Sequence, residues 1–260
     1  MKGAFCVPYF KYKDKSCYYE EQGTGNPLIF LHGNTASSNM FRGVAASFAE
    51  EYKVILIDFL GHGKSERVEH LAADLWYDEA MQGIAFLEQS PYPKADLIGS
   101  SGGALVAINV ALERPDLVGK VIADSFEGEF PLKEFTQNVI TEREASKQDE
   151  NARAFYFAMH GEDWESIVDK DTRAIDEHAR DIGKFFHKDL RELHSEILLT
   201  GSIEDEFLRL ISPDYFATTY GEMIKKIGHG EMKLFETGGH PAVLSNQEEF
   251  VSLARKFLME

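Results

Sequence analysis

The segment Leu97-Ile98-Gly99-Ser100-Ser101-Gly102-Gly103-Ala104-Leu105 sets a Gly-x-Ser-x-Gly pentapeptide between two different periodicities. Ala95–Ile98 is short and apolar, as a buried strand is, and Ala104–Leu112 continues at helical spacing. A serine at such a strand-to-helix junction occupies a very tight turn that thrusts its hydroxyl out of the backbone. Side chains two residues to either side would collide in that turn, which accounts for glycine at 99 and 103. The helix that follows turns its free N–H groups and the positive end of its dipole toward any oxyanion formed at Ser101. Ser100 is one residue off the apex and reads as buried or capping.

Two further pieces fall where a nucleophilic serine needs them. Pro27–Leu31 is an apolar strand that runs into His32-Gly33-Asn34, and Glu231–Phe235 is a strand that runs into Thr237-Gly238-Gly239-His240-Pro241. With the Asp58-x-x-Gly61-His62-Gly63-x-Ser65 loop, these motifs stand in a fixed order along the chain. From about Lys15 to the C-terminus the sequence resembles the α/β-hydrolase fold family, in which an oxyanion loop precedes the nucleophile, the acid and then the histidine. The resemblance implies a mostly parallel twisted sheet with helices on both faces.

The length of 260 residues suits one such α/β core carrying an insertion. No stretch approaches the roughly 18 uninterrupted apolar residues of a membrane span. The apolar run Gly3–Phe10 is too short for a signal peptide, lacks a small-x-small cleavage site and leads into Lys11-Tyr12-Lys13-Asp14-Lys15, so it reads as one arm of a hairpin. With the turn near Lys13–Lys15, Cys17 is expected opposite Lys11 and out of register with Cys6. These are the only cysteines, and a cytoplasmic protein is expected. A net charge of −17 argues against nucleic acid and anionic membrane surfaces as partners.

The strand–helix alternation is regular through the first half. Hairpin strands near Phe5–Tyr12 and Ser16–Gln22 precede strands at Leu28–Leu31 and Lys53–Asp58, with a helix over Asn39–Glu50 between these two. A helix over Leu71–Gln89 leads to the strand before Ser101, and Leu117–Ala123 is a further buried strand ending at Asp124. The rhythm then breaks. Residues 126–195 hold 17 acidic and 10 basic residues, read as amphipathic helices rich in aromatics, and resemble the helical cap common in the family. This divides the chain into a core, 1–125 and 196–260, and a cap, 126–195. Inner aromatics of the cap, with Phe130, Phe155 and Trp164 as candidates, are expected to roof Ser101.

Ser101 is the expected nucleophile and needs a base to take its proton during attack. His240 is that base, because flanking glycines permit a turn that drops its imidazole over the serine. His229 precedes the last strand and so lies on its wrong side. The acid belongs after Ile197–Thr200, where Gly201-Ser202-Ile203-Glu204-Asp205-Glu206-Phe207 offers three carboxylates. Asp205 is favoured, with Glu204 the alternative at the family's commoner spacing and Asp124 behind both. The resemblance places the oxyanion hole at the backbone N–H groups of Asn34 and Gly102. It gives His32 the role of orienting that loop, and Asp58 and residues 61–65 that of setting backbone geometry. His178, His187 and His194 are spaced without an acidic or cysteine partner, so no metal is expected. No dinucleotide or phosphate-binding motif suggests a cofactor.

The nucleophile narrows the reaction. Family members that open epoxides or displace halide carry aspartate at the elbow, and aminopeptidase relatives carry tryptophan where this chain has Gly102. Carbon–carbon hydrolases hold anionic substrates with an arginine near the elbow, whereas Arg114 here is a helix away. The resemblance therefore implies a carboxylic-ester hydrolase acting on a small or medium, neutral ester through an acyl-enzyme. A small-molecule receptor of the same fold with slow hydrolysis, or a carbon–carbon hydrolase or lyase using the same triad, is the alternative.

Overall fold

A computed structural model describes residues 8–208 and 211–260. Among the described residues eight strands form one sheet: β1 (Tyr9–Tyr12), β2 (Lys15–Gln22), β3 (Asn26–Leu31), β4 (Tyr52–Ile57), β5 (Ala95–Ser100), β6 (Val118–Asp124), β7 (Ile197–Ser202) and β8 (Glu231–Phe235). Their order is β1-β2-β4-β3-β5-β6-β7-β8. β1 and β2 are antiparallel to their neighbours and every other pairing is parallel.

The apolar strands read as they do because both faces of the sheet are covered. Along β3, Leu28 and Phe30 point to one face and Ile29 and Leu31 to the other, all fully buried. The first face packs on α1 (Arg42–Ala46), α9 (Ala242–Ser245) and α10 (Gln247–Met259). The second packs on α2 (Leu75–Gln89), α3 (Gly102–Glu113) and α8 (Tyr215–Ile227).

Between β6 and β7 lie four α-helices, α4 (Lys133–Thr136), α5 (Val139–Ser146), α6 (Glu150–His160) and α7 (Trp164–Asp181), then a 3-10 turn, Leu190–Glu192, and no strand. Of these, α6 and α7 are bound to the core loops. Ser37 Oγ and Asn39 Nδ2 donate to the carbonyls of Met159 and Ala158, and Arg67 pairs with Asp163 while donating to the His160 carbonyl.

Three local expectations shift. The hairpin closes through a two-residue turn with Lys13 and Asp14 both at positive φ, so Tyr12 faces Lys15 and Cys17 faces buried Phe10 instead of Lys11. Cys6 and the proposed start of that strand at Phe5 lie outside the described residues. The helix expected from Asn39 is a 3-10 turn, Ser38–Phe41, followed by the short α1. The helix expected from Leu71 begins only at Leu75, because Asp74 leaves helical geometry and bonds His187 of the later chain.

The sheet order fixes where a site can form. From β3 the chain steps outward to β4 and then back across to β5, so the loops leaving β3 and β5 diverge at their carboxyl ends and open a crevice. Those loops are His32–Thr35 and Ser101–Gly102.

Candidate active site

Ser101 follows β5 with φ 56° and ψ −125°, a conformation that costs a non-glycine residue about 1–3 kcal/mol and persists only where the surroundings impose it. They do so here. A Cβ at Gly99 would stand 2.0 Å from the Gly103 carbonyl oxygen, and one at Gly103 would stand 2.0 Å from that of Leu31. The Ser101 N–H donates to the Asp124 carbonyl at 2.7 Å, holding the turn against β6.

His240 lies across from it. Its Nε2 is 3.0 Å from Ser101 Oγ and its Nδ1 is 2.8 Å from Asp205 Oδ2. The carboxylate only accepts, so Nδ1 carries the proton and Nε2 is left to accept from the serine hydroxyl. Asp205 is fully buried just past β7. Its Oδ1 accepts the N–H groups of Phe207 and Leu208, which aims Oδ2 at the imidazole. Glu206 reaches back to accept the His240 main-chain N–H at 2.9 Å. A side chain at Gly239 would meet that same carboxylate at 2.7 Å, which explains the glycine before the histidine.

The other candidates have other partners. Glu204 is exposed, and the hydrogen bonds of His240 go instead to Asp205, Ser101 and Glu206. Asp124 is a strut: it accepts from Ser100 Oγ, Thr200 Oγ1 and the Val243 N–H, tying β5, β7 and the histidine loop together. Burial pushes its carboxyl up to about 6, and those same donors oppose the shift. His229 bonds the Leu193 carbonyl. His187 bonds Asp74, and His178 lies 3.8 Å from the same carboxylate, an acidic partner that local spacing did not reveal.

The loop after β3 lies directly against Ser101. A Cβ at Gly33 would come within 2.9 Å of Ser101 Cβ, and one at Gly102 within 2.3 Å of Asn34 Oδ1. Asn34 is gripped from both ends of its amide: Oδ1 accepts from Trp76 Nε1 and Nδ2 donates to Asp171. His32 donates from Nδ1 to the Gly33 carbonyl and accepts the Phe59 N–H at Nε2. Burial and the nearby His62 hold its pKa well below 6.5, so it stays neutral in this orienting position. Asp58 accepts the N–H groups of Ser38 and Lys64, setting the 58–65 loop as expected.

The aromatic roof differs from expectation. Trp164 stacks on Tyr156 beside Val168 and forms the insertion's own small core. Phe155 touches Tyr156, and Phe130 lines a cleft of about 370 Å³ against α8 with Glu127, Leu132 and Tyr215. On the His240 side the rings are Phe207, edge-on to the imidazole, and Phe135, edge-on to Phe207, while the Trp76 indole lies on the Asn34 side. Helical periodicity assigns aromatics to a face but not to a neighbour. Phe207 was visible only as the apolar residue ending the acid loop.

Asp171 and Trp76 were missed altogether. Asp171 sits in the middle of α7 among apolar positions, fully buried. Burial would raise its pKa, but hydrogen bonding and charge from His62 outweigh it and hold the carboxyl below its usual range. A charged residue at an inward-facing helical position was the available signal.

Comparison with known proteins agrees with this architecture. Residues 26–192 match the family model for the alpha/beta hydrolase fold. The chain is 34% identical over 112 residues to (E)-2-((N-methylformamido)methylene)succinate hydrolase of Acinetobacter baylyi, covering 42% of this chain and 40% of that protein. It is 33% identical over 121 residues to 2-hydroxymuconate semialdehyde hydrolase of a Pseudomonas species, covering 44% and 41%. The matched segment thus spans only about two fifths of the length of these curated relatives. An esterase from Exiguobacterium antarcticum superposes with a TM-score of 0.76 at 19% identity, covering 97% of this chain and 99% of that one. No helix among the described residues is long and apolar enough to cross a membrane. By the family match over most of its length and by its sheet, the chain belongs to the alpha/beta hydrolase fold family.

Proposed function

We propose that this protein is a serine hydrolase that cleaves a small or medium, neutral carboxylic ester. The observation that carries the reading is the single imidazole bridging Ser101 Oγ at 3.0 Å and Asp205 Oδ2 at 2.8 Å. His240 takes the serine proton as Oγ attacks the ester carbonyl, and Asp205 stabilises the resulting imidazolium. The backbone N–H groups of Asn34 and Gly102 receive the oxyanion. Collapse expels the alcohol, protonated by His240, and leaves an acyl group on Ser101. Water, activated by the same imidazole, then releases the acid. The helices between β6 and β7 serve as a cap over this crevice, and no cofactor takes part.

The charge around the site favours a neutral substrate. Among the described residues, every charged side chain hydrogen-bonded to His240 or Asn34 is a carboxylate: Asp205, Glu206 and Asp171. An anionic ester would meet repulsion there. The names of the two relatives favour a second reading, hydrolysis of a carbon–carbon bond or an enamide through the same triad.

A panel of p-nitrophenyl esters from acetate to decanoate tests the proposal. Multiple turnovers with a preferred acyl length are expected. A single burst without turnover would transfer the pocket to ligand sensing, and cleavage of a vinylogous 1,5-diketone in preference to every ester would install the second reading.

A further inference from the structure

We propose that Asp171, supplied by the insertion helix α7, is a positioning residue that holds the Asn34–Thr35 backbone in register with Ser101. The inference rests on Ser101 being the nucleophile and goes beyond it, because it makes the insertion part of the oxyanion apparatus. Asp171 Oδ2 accepts the Thr35 N–H at 3.0 Å, faces His62 Nε2 at 3.1 Å and takes Asn34 Nδ2 at 3.4 Å. The carboxylate is fully buried, so these bonds do not compete with water.

The loop needs holding. Thr35 has φ 55°, a left-handed conformation that a β-branched residue avoids unless its surroundings impose it. Both ends of its main-chain polar set are fixed by the insertion. Asp171 takes the N–H, and the carbonyl accepts from His160 Nε2 at 3.0 Å, with His160 Nδ1 in turn accepting the Gly63 N–H. Burial pushes His160 down to about 4, so it remains the neutral tautomer that this pattern requires. Asn34, one peptide earlier, carries the proposed oxyanion donor. A rotation of the Thr35 peptide would tilt that N–H away from Ser101.

Asp171→Leu removes the acceptor at similar volume and discriminates, whereas an asparagine could still offer its amide oxygen to the same three donors, which all meet Oδ2. Asp163→Asn is the control, since it weakens the Arg67 clamp between insertion and core without touching residues 34–35. Two readouts are compared with the wild type: hydrogen exchange at the Thr35 amide, and the rate of Ser101 labelling by a fluorophosphonate, alongside kcat and KM for p-nitrophenyl acetate. Expected for Asp171→Leu are loss of Thr35 protection and a roughly 10–100-fold fall in labelling rate and kcat, with KM changing less than about threefold. The control should stay within about twofold of wild type on every measure. Should Asp171→Leu not fold, Asp171→Ala removes the same acceptor with a smaller side chain and is read the same way. Unchanged Thr35 exchange, or a kcat loss no greater than the control's, overturns the proposal. If wild-type Ser101 does not label at all, the hydrolase reading falls, and the exchange arm alone still decides whether Asp171 holds the loop.

Discussion

Phe207 stands edge-on to His240, the ring centroids 5.0 Å apart and the planes at 89°. The phenyl is 46% exposed, so it forms a wall between the imidazole and solvent with its other side open. Phe135 of α4 approaches it at 6.5 Å, which brings the insertion to within one ring of the histidine. Edge-to-face contact of this kind contributes about 0.5–1.5 kcal/mol beyond burial and fixes the plane of the ring it touches.

Removing either end of the proton path should stop the reaction. Ser101→Ala and His240→Ala are each expected to lower kcat by several orders of magnitude, and the double variant should lose little more, because the two groups act as one unit. Steady-state kinetics of the three variants is the check. His240→Ala retaining more than roughly a tenth of wild-type activity would remove it as the base.

The two adjacent carboxylates should separate sharply. Asp205→Asn presents an N–H where His240 Nδ1 needs an acceptor, and a loss of roughly 10³–10⁴ in kcat is expected. Glu204→Gln, at an exposed position, should stay within about twofold. The reverse ranking would return the acid to the commoner spacing.

Substrate length should be read by Phe207 and Phe135, and not by Trp164. Alanine at 207 or 135 is expected to change kcat/KM across the ester panel unevenly, with the longest acyl chains most affected. Trp164→Ala opens a cavity beside Tyr156 and Val168 and should act on thermal stability, by roughly 3–5 kcal/mol, with chain-length preference unchanged. A uniform loss at all lengths for the Phe207 variant would place the acyl chain elsewhere.

Glu127 gives a pH signature. Burial pushes its carboxyl up to about 7 from an ordinary 4.5, outweighing the Leu132 N–H and the nearby His240, which pull it down. The folded state therefore holds this proton more tightly than the unfolded state. The stability it contributes is complete below about pH 4.5 and is lost as the pH rises through about 7. Glu127→Gln should flatten the decline of Tm between about pH 5 and about pH 8 and raise Tm at the upper end. Parallel Tm curves for the two proteins would show that Glu127 does not titrate in that interval.

The parts of this molecule legible in the sequence are those specified by local sterics. Gly99 is forced by the Gly103 carbonyl within the same turn, and alternation along β3 follows from two covered faces, whereas Gly103 is forced by the distant Leu31 carbonyl of β3 and was legible only as part of the pentapeptide. Asp205 was singled out by resemblance, on the pattern Asp205-Glu206-Phe207, and it does face His240, held there by its own loop amides at 207 and 208. Asp171 was not, because its partners at 34, 35 and 62 lie more than a hundred residues earlier and no periodicity encodes a handshake over that distance. The roof failed in the same way: Trp164 and Phe135 look alike in sequence, and only packing decides that Phe135 reaches the ring beside His240 while Trp164 packs on Tyr156. The hairpin register turned on one residue, since a two-residue and a three-residue turn differ by a single position and that slip exchanges Lys11 for Phe10 opposite Cys17.

The grip of His160 and Asp171 on Thr35 bears on how such proteins can be recombined. An insertion transplanted from another member of the family would have to bring its own acceptor for the Thr35 N–H and its own donor for the Thr35 carbonyl. Without them two buried main-chain groups are orphaned beside Ser101, at about 1–3 kcal/mol each. Chimaeras of this scaffold are therefore not free to exchange everything between β6 and β7: α6 and α7 travel with the loop at 32–35 or not at all, and the interchangeable portion shrinks to α4 and α5.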